Sequence, residues 1–309
     1  MTICPTVYVG DSGEMITASY FLGIPHPPGY PLYTMLGKLL TFIPVGTIAF
    51  RVNLLASLFS AGSAIMLFLL LHRFSLLGGL SGLVSTFLPA LLSLNFIFSF
   101  SFWNQSLITK GGLYTLNAFL LLTIIYICLL AELRSKEKAL RLYCYAGIFC
   151  GMGLANHTTM IPLFVVFCLY IFVTSLVSIK SAFKNTVVFA LTSLVVAFLI
   201  YLYLPIRSLA NPPMDWGNPE TFRAFTRHVL RQQYTLLEPS QRIFSHFLDQ
   251  AYGYLRAALN QKNVLMVLFP LGLFFLLKHS KKLFVLLVII FLLTSLGFIY
   301  LTNYILNSH

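Results

Sequence analysis

Two carboxylates stand close together near the start of the chain, in Gly10-Asp11-Ser12-Gly13-Glu14. At a membrane surface such a pair is suited to taking a proton from a hydroxyl nucleophile. The same D-x-x-E spacing is also a variant of the capping box, with Asp11 at the N-cap and Glu14 at the third helical position. The roles are compatible, because a capping bond would fix the carboxylate's direction. Eleven residues beyond Glu14 begins Pro25-His26-Pro27-Pro28-Gly29-Tyr30-Pro31, a stiff, non-helical turn. The prolines read as a rigid link into a helix. His26 is the odd residue on it, and an imidazole there could bind a phosphate oxygen.

Three further motifs add polar chemistry. In Lys110-Gly111-Gly112-Leu113-Tyr114-Thr115-Leu116-Asn117, Tyr114 and Asn117 lie one helical turn apart at the end of an apolar run, where hydrogen bonds between helices are the default role. Gly153-Leu154-Ala155-Asn156-His157-Thr158 is a tight polar turn between two apolar runs, and reads either as helix capping or as part of a binding site through Asn156 and His157. In Tyr201-Leu202-Tyr203-Leu204-Pro205-Ile206-Arg207, Arg207 is either an interfacial snorkelling residue or a guanidinium fork for a phosphate at headgroup depth. Beyond it, Arg223, Arg227 and Arg231 would put three cations on one helix face, as a surface for lipid headgroups or an anionic substrate.

The elements that must position these residues are membrane helices. Hydrophobic residues make up 58% of the 309 positions and charged residues 9%. A soluble domain carries roughly a quarter charged residues, so the bilayer must be the solvent and the fold an all-α polytopic bundle. Candidate spans lie at about 50–72, 80–101, 113–132, 141–156, 159–178, 185–204, 263–278 and 283–303, while 30–44 is short, Pro-bounded and interfacial or re-entrant. The whole of 1–309 reads as one transmembrane domain with a long outer loop at 205–262. The net charge of +12 raises nucleic acid as a partner, but basic residues in a membrane protein first set orientation, and none is expected. Alternate short loops hold Arg73, Arg134, Lys136, Lys138, Arg141, Lys180, Lys184, Lys278, Lys281 and Lys282, and are read as cytoplasmic. Six acids (Asp11, Glu14, Asp215, Glu220, Glu238 and Asp249) and all the motifs above then fall on the outer face. Cys4, Cys128, Cys144, Cys150 and Cys168 form no C-x-x-C pair and read as packing residues, with no metal site expected.

The motif pair Gly10-Asp11-Ser12-Gly13-Glu14 and His26-Pro27-Pro28-Gly29-Tyr30-Pro31 resembles the domain-of-unknown-function 2723 family, the transmembrane protein 260-like protein O-mannosyltransferases. Leu113-Tyr114-Thr115-Leu116-Asn117, Asn156-His157-Thr158, and Leu204-Pro205-Ile206-Arg207 with Asp215-Trp216-Gly217 follow in the family's order. The resemblance implies a type-C glycosyltransferase fold and an inverting transfer from a polyprenyl-phosphate sugar, with no cofactor. It places a catalytic carboxylate in the first outer loop, here Asp11 with Glu14 beside it. His26, Tyr114, Asn156, His157 and Arg207 become candidate substrate contacts. It also implies a helix ahead of the D-S-G-E loop, which has no counterpart before residue 1, and an acidic residue where this sequence has Lys110-Gly111-Gly112. The expected acceptor is a hydroxyl, such as Ser or Thr of a translocated protein. The expected location is a bacterial inner membrane, with the endoplasmic reticulum membrane as the alternative. A transporter or lipid flippase would need ionisable residues at mid-membrane depth, and the proposed spans have almost none there. A non-catalytic remnant is the third reading.

Overall fold

The computed structural model describes residues 2–234, 244–260, 269–297 and 299–300. Glu238, the start of the expected span 263–278 and the end of 283–303 lie outside them. Among the described residues the structure is helical, with one isolated β-bridge between Ile24 and Asp215.

Two short helices, α1 (Ser12–Phe21) and α2 (Pro31–Thr41), open the chain on either side of the proline turn. Pro31 takes the first helical position of α2, where its missing N–H costs nothing. Long apolar helices then run back and forth: α3 (Ile48–Leu77), α4 (Gly82–Ile97) with the short α5 (Phe100–Ser106), α6 (Thr109–Glu132), α7 (Lys136–Leu154), α8 (Met160–Thr174) and α9 (Ile179–Tyr201). After α9 come α10 (Tyr203–Ser208), α11 (Phe222–Val229), a 3-10 turn at Gln232–Tyr234, α12 (Phe244–Asn260), α13 (Phe269–His279) and α14 (Lys281–Leu292).

Side chains on α4, α8 and α9 face outward without cover. Leu83 is 87% exposed, and Leu91, Leu169, Leu191, Val195 and Phe198 are all more than half exposed. An apolar surface of this extent marks the lipid-facing side of a bundle. Where helices meet, small residues let them approach. Gly147 and Gly151 of α7 face the carbonyls of Phe189 and Ser193 on α9, and a Cβ on Gly151 would lie 2.5 Å from the Ser193 oxygen. One core cluster includes Ile124, Cys128, Tyr143, Cys150, Leu163, Phe167 and Leu286; a second includes Met15, Tyr30, Tyr33, Leu55, Leu113 and Leu116.

By length and composition, three helices among the described residues can cross a membrane: Ile48–Leu77, Thr109–Glu132 and the run Ile179–Ser208. The pair Gly82–Ile97 and Phe100–Ser106 makes a fourth if counted as one span, but it bends by 69° at the break. The expected span 80–101 is therefore not one continuous helix. The expected eight differ from this count for a physical reason. α8 has 15 residues and rises only about 22 Å, short of the roughly 30 Å hydrocarbon core. α7 has 19 residues but opens with Lys136, Glu137, Lys138 and Arg141.

Candidate active site at the mouth of the bundle

Neither carboxylate of the D-S-G-E motif is used as a helix cap. Asp11 occupies the N-cap position of α1 with no side-chain capping bond, which corrects the capping-box expectation. Its carboxylate instead pairs with Lys110 at the start of α6, Nζ to Oδ2 3.0 Å. Glu14 reaches the proline turn: the His26 backbone N–H donates to Oε1 at 2.6 Å, and Nδ1 lies 2.8 Å from Oε2. Against an ionised carboxylate Nδ1 is the donor, which turns Nε2 toward the Tyr30 hydroxyl at 3.4 Å. Each carboxylate is thus oriented by a long-range partner and remains partly accessible, Asp11 more so than Glu14.

Lys110 is held opposite Asp11 by two tight contacts. The buried Asn53 on α3 accepts from the Thr109 N–H (2.8 Å) and hydroxyl (2.5 Å), and its amide donates to the carbonyls of Cys4 and Thr6. One side chain therefore ties the segment before Asp11 to the start of α6. At Gly112 a Cβ would overlap the buried Tyr33 hydroxyl of α2, so glycine is what lets α6 come this close. Sequence reasoning passed over Asn53; an asparagine two residues after Arg51 within an apolar run was the available signal.

The proline turn is clamped by a segment about 190 residues further along the chain. Ile24 N–H donates to the Met214 carbonyl and Trp216 N–H to the Ile24 carbonyl, so Asp215-Trp216-Gly217 pairs with the residues just before His26. The Ser208 hydroxyl donates within the same frame, 2.8 Å from Asp215 Oδ2. Gly29 has φ +92°, and a side chain there would meet Leu204 and His228.

The remaining candidates divide. The Tyr114 and His157 rings lie 5.5 Å apart, and His157 Nδ1 is 2.9 Å from the Thr159 hydroxyl. Burial lowers the His157 pKa to about 4, and the positive charge of Arg231 pushes the same way. Tyr30 sits where the charges of Arg231, Tyr114, Tyr234 and Asp11 all act on it, while burial drives its hydroxyl far above the usual range. His26 touches Tyr30 and carries Glu14 with it, the charges of Asp11 and Tyr114 act on Tyr30, and His157 packs on Tyr114. Asn156 is buried behind them, donating to the Leu113 carbonyl at 2.9 Å, and holds the α7–α8 turn onto α6.

Arg207 lies elsewhere. Its Nε donates to the Leu22 carbonyl (2.8 Å) and a terminal nitrogen to the Phe21 carbonyl (3.2 Å). With Lys38 on the Tyr20 carbonyl and the Tyr203 hydroxyl on the Gly23 carbonyl, four successive carbonyls at the end of α1 are satisfied by side chains. α1 has ten residues, so this cap is about 15 Å along the axis from Asp11. The expected phosphate fork is a helix cap instead, because the fork meets orphan carbonyls at the opposite end of α1. The expected single face of Arg223, Arg227 and Arg231 is also corrected: α11 ends at Val229, and Arg231 turns off it with φ +56°.

A family model described as the Protein O-mannosyl-transferase TMEM260 N-terminal domain matches residues 11–180, beginning at Asp11. The chain is 32% identical over 231 residues to Protein O-mannosyl-transferase TMEM260 of Mus musculus, a match covering 73% of this chain and 31% of that protein. It is 26% identical over 255 residues to Protein O-mannosyl-transferase tmem260 of Dictyostelium discoideum, covering 77% and 29%. The chain thus matches about a third of the length of these relatives. Both are eukaryotic, so they lend no support to a bacterial inner membrane and are consistent with the endoplasmic reticulum alternative. No solved structure matches.

Proposed function

This chain belongs to the TMEM260 N-terminal domain family, and from that premise we propose that it is a membrane glycosyltransferase moving a mannose-like sugar from a polyprenyl-phosphate donor to a Ser or Thr hydroxyl of a protein. The donor's prenyl chain lies along the lipid-facing helices and its phosphate reaches the mouth. The shorter apolar helices complete a type-C-like bundle of about eight crossings around it.

One observation carries the reading. Asp11 and Glu14 are oriented by Lys110 and His26 rather than by the amides of α1, and both carboxylates stay partly accessible. A hydroxyl is a poor nucleophile until a base takes its proton as the new bond forms. Asp11, the more accessible carboxylate, takes that proton. The acceptor oxygen attacks the anomeric carbon from the face opposite the phosphate, and the carbon–oxygen bond to phosphate breaks with its electron pair going to the phosphate. The products are an O-glycoside of inverted configuration, polyprenyl phosphate and a protonated Asp11. Glu14, through His26, orients the turn that carries Tyr30 against the sugar.

The test uses full-length protein in membranes with a panel of polyprenyl-phosphate sugars and a Ser/Thr-rich acceptor peptide, the product's anomeric configuration being read by NMR. Transfer with inversion is expected from one sugar of the panel. Transfer with retention, or transfer only from a nucleotide sugar, would overturn the mechanism.

A further inference from the structure

An anion must be held next to Asp11 for this reaction to run, and the arginine at the end of α9–α10 is not placed to do it. The phosphate oxygen is bonded to the same carbon the acceptor attacks, so phosphate and base lie a few ångströms apart across one sugar. Arg207 caps α1 about 15 Å away.

The outer loop supplies another guanidinium. α11 presents Arg223 and Arg227 on its exposed face, around a cavity of about 230 Å³ that Gly217, His228 and Gln233 also line. Arg231 does not continue that face. The left-handed backbone at Arg231 reverses the chain, its N–H donating to the His228 carbonyl at 3.0 Å, and the next residues form the 3-10 turn. The reversal lays the Arg231 guanidinium over the Tyr234 ring, 5.1 Å from its centroid. The buried His228 ring anchors the segment: it is packed against Gly29 of the proline turn and Gly217 of the Asp215-Trp216-Gly217 clamp. The segment is thereby fixed over the turn bearing His26 and Tyr30. From this position the charge of Arg231 acts on Tyr30 and His157, and Tyr234 feels both Asp11 and Glu14. Among the described residues no carboxylate pairs with Arg231. A guanidinium stacked on an aromatic face keeps its N–H edges available in the plane, the geometry that grips phosphate bidentately.

We propose that Arg231, held over Tyr234 in the segment that His228 anchors against the proline turn, binds the phosphate of the donor and stabilises the charge that gathers on it as the sugar departs. This rests on the polyprenyl-phosphate reading above. It makes the outer loop part of the active site, and of the two roles the sequence left open for these arginines it gives Arg231 the anionic-substrate one.

The experiment titrates polyprenyl phosphate without sugar, and separately inorganic phosphate, into the purified full chain in micelles. Arg231→Gln, Arg231→Lys and the exposed control Arg223→Gln are compared with wild type. Arg231→Gln should weaken binding of the lipid phosphate about ten- to a hundredfold, as expected for lost charge-assisted bonds. Arg231→Lys should fall between, and inorganic phosphate should follow the same order. The Arg223→Gln protein should bind as wild type, and all variants should keep the wild-type melting temperature. Wild type that binds while Arg231→Gln binds equally well would overturn the assignment and leave the donor reading standing. So would loss of lipid binding with inorganic phosphate binding untouched. Wild type that binds no polyprenyl phosphate at all would overturn the donor reading itself, and this inference with it.

Discussion

Replacing Arg207 separates a helix cap from a ligand contact. In the structure its fork closes two carbonyls at the end of α1, one bond part-buried at 2.8 Å and one exposed at 3.2 Å. Hydrogen bonds to charged groups contribute about 1.5–3 kcal/mol when desolvated and less at the surface, and a cation at a helix C-terminus adds about 0.3–1 kcal/mol. Arg207→Ala should therefore cost about 1–3 kcal/mol, seen as a drop of a few degrees in the thermal midpoint of the purified protein. Arg207→Lys should recover part of this, since an ammonium can cap one carbonyl but not both. The other end of α1 carries Asp11, so turnover should fall in proportion to the loosened helix while the affinity for polyprenyl phosphate stays within about twofold of wild type. Paired measurements of melting and lipid-phosphate titration on the same preparations decide the matter. An unchanged midpoint with a tenfold loss of affinity would refute the capping argument and return Arg207 to the phosphate.

Two other outcomes follow from packing and burial. Gly112→Ala should destabilise by about 1–3 kcal/mol through overlap with the Tyr33 hydroxyl, and Tyr33→Phe in the same chain should relieve part of it because that hydroxyl is buried without a hydrogen bond; additive losses in a double-mutant cycle would sink the idea. The His157 and His228 pKa values are both lowered to about 4, by burial first, with Arg231 acting on His157, and the Pro25 carbonyl partly opposing and His26 adding to the effect on His228. The unfolded chain then binds more protons between pH 6.5 and 4, so stability present above pH 6.5 is lost as pH falls through that window, by about 2 kcal/mol per histidine at pH 5. A midpoint that does not move between pH 7 and 5, or that moves equally in His157→Asn, would contradict this account for His157.

What the sequence made legible were patterns that one element can carry. The apolar runs behind α3, α6 and α9 are long enough to announce themselves, and the isolated proline-bounded run of α2 reads correctly as too short. The Gly147-x-x-x-Gly151 seam was passed over, although its spacing was a signal. Three kinds of feature were hidden. Hydropathy records composition and not direction, so 80–101 looked continuous although the chain turns by 69° between α4 and α5. Local spacing offered Asp11 and Glu14 to the amides of α1, but partners 99 and 12 residues away took them. The i, i+4, i+8 spacing of Arg223, Arg227 and Arg231 assumed a helix that stops at Val229; the stop is what sends Arg231 to the mouth. In each case a long-range contact or a chain reversal outweighed the local signal, and those are the places where the candidate site is built.

The central claim is that Asp11 takes the acceptor's proton. Asp11→Asn keeps the size of the side chain and a hydrogen-bonding oxygen toward Lys110, and because Asp11 makes no capping bond, α1 loses no hydrogen bond. General-base help is worth roughly a hundred- to ten-thousandfold. In the same membranes, and at matched expression, sugar transfer by Asp11→Asn should fall at least about a hundredfold with polyprenyl-phosphate binding intact, and Glu14→Gln, which perturbs only the His26 turn, should fall less. Equal transfer by wild type and Asp11→Asn, or a larger loss in Glu14→Gln than in Asp11→Asn, would contradict the account.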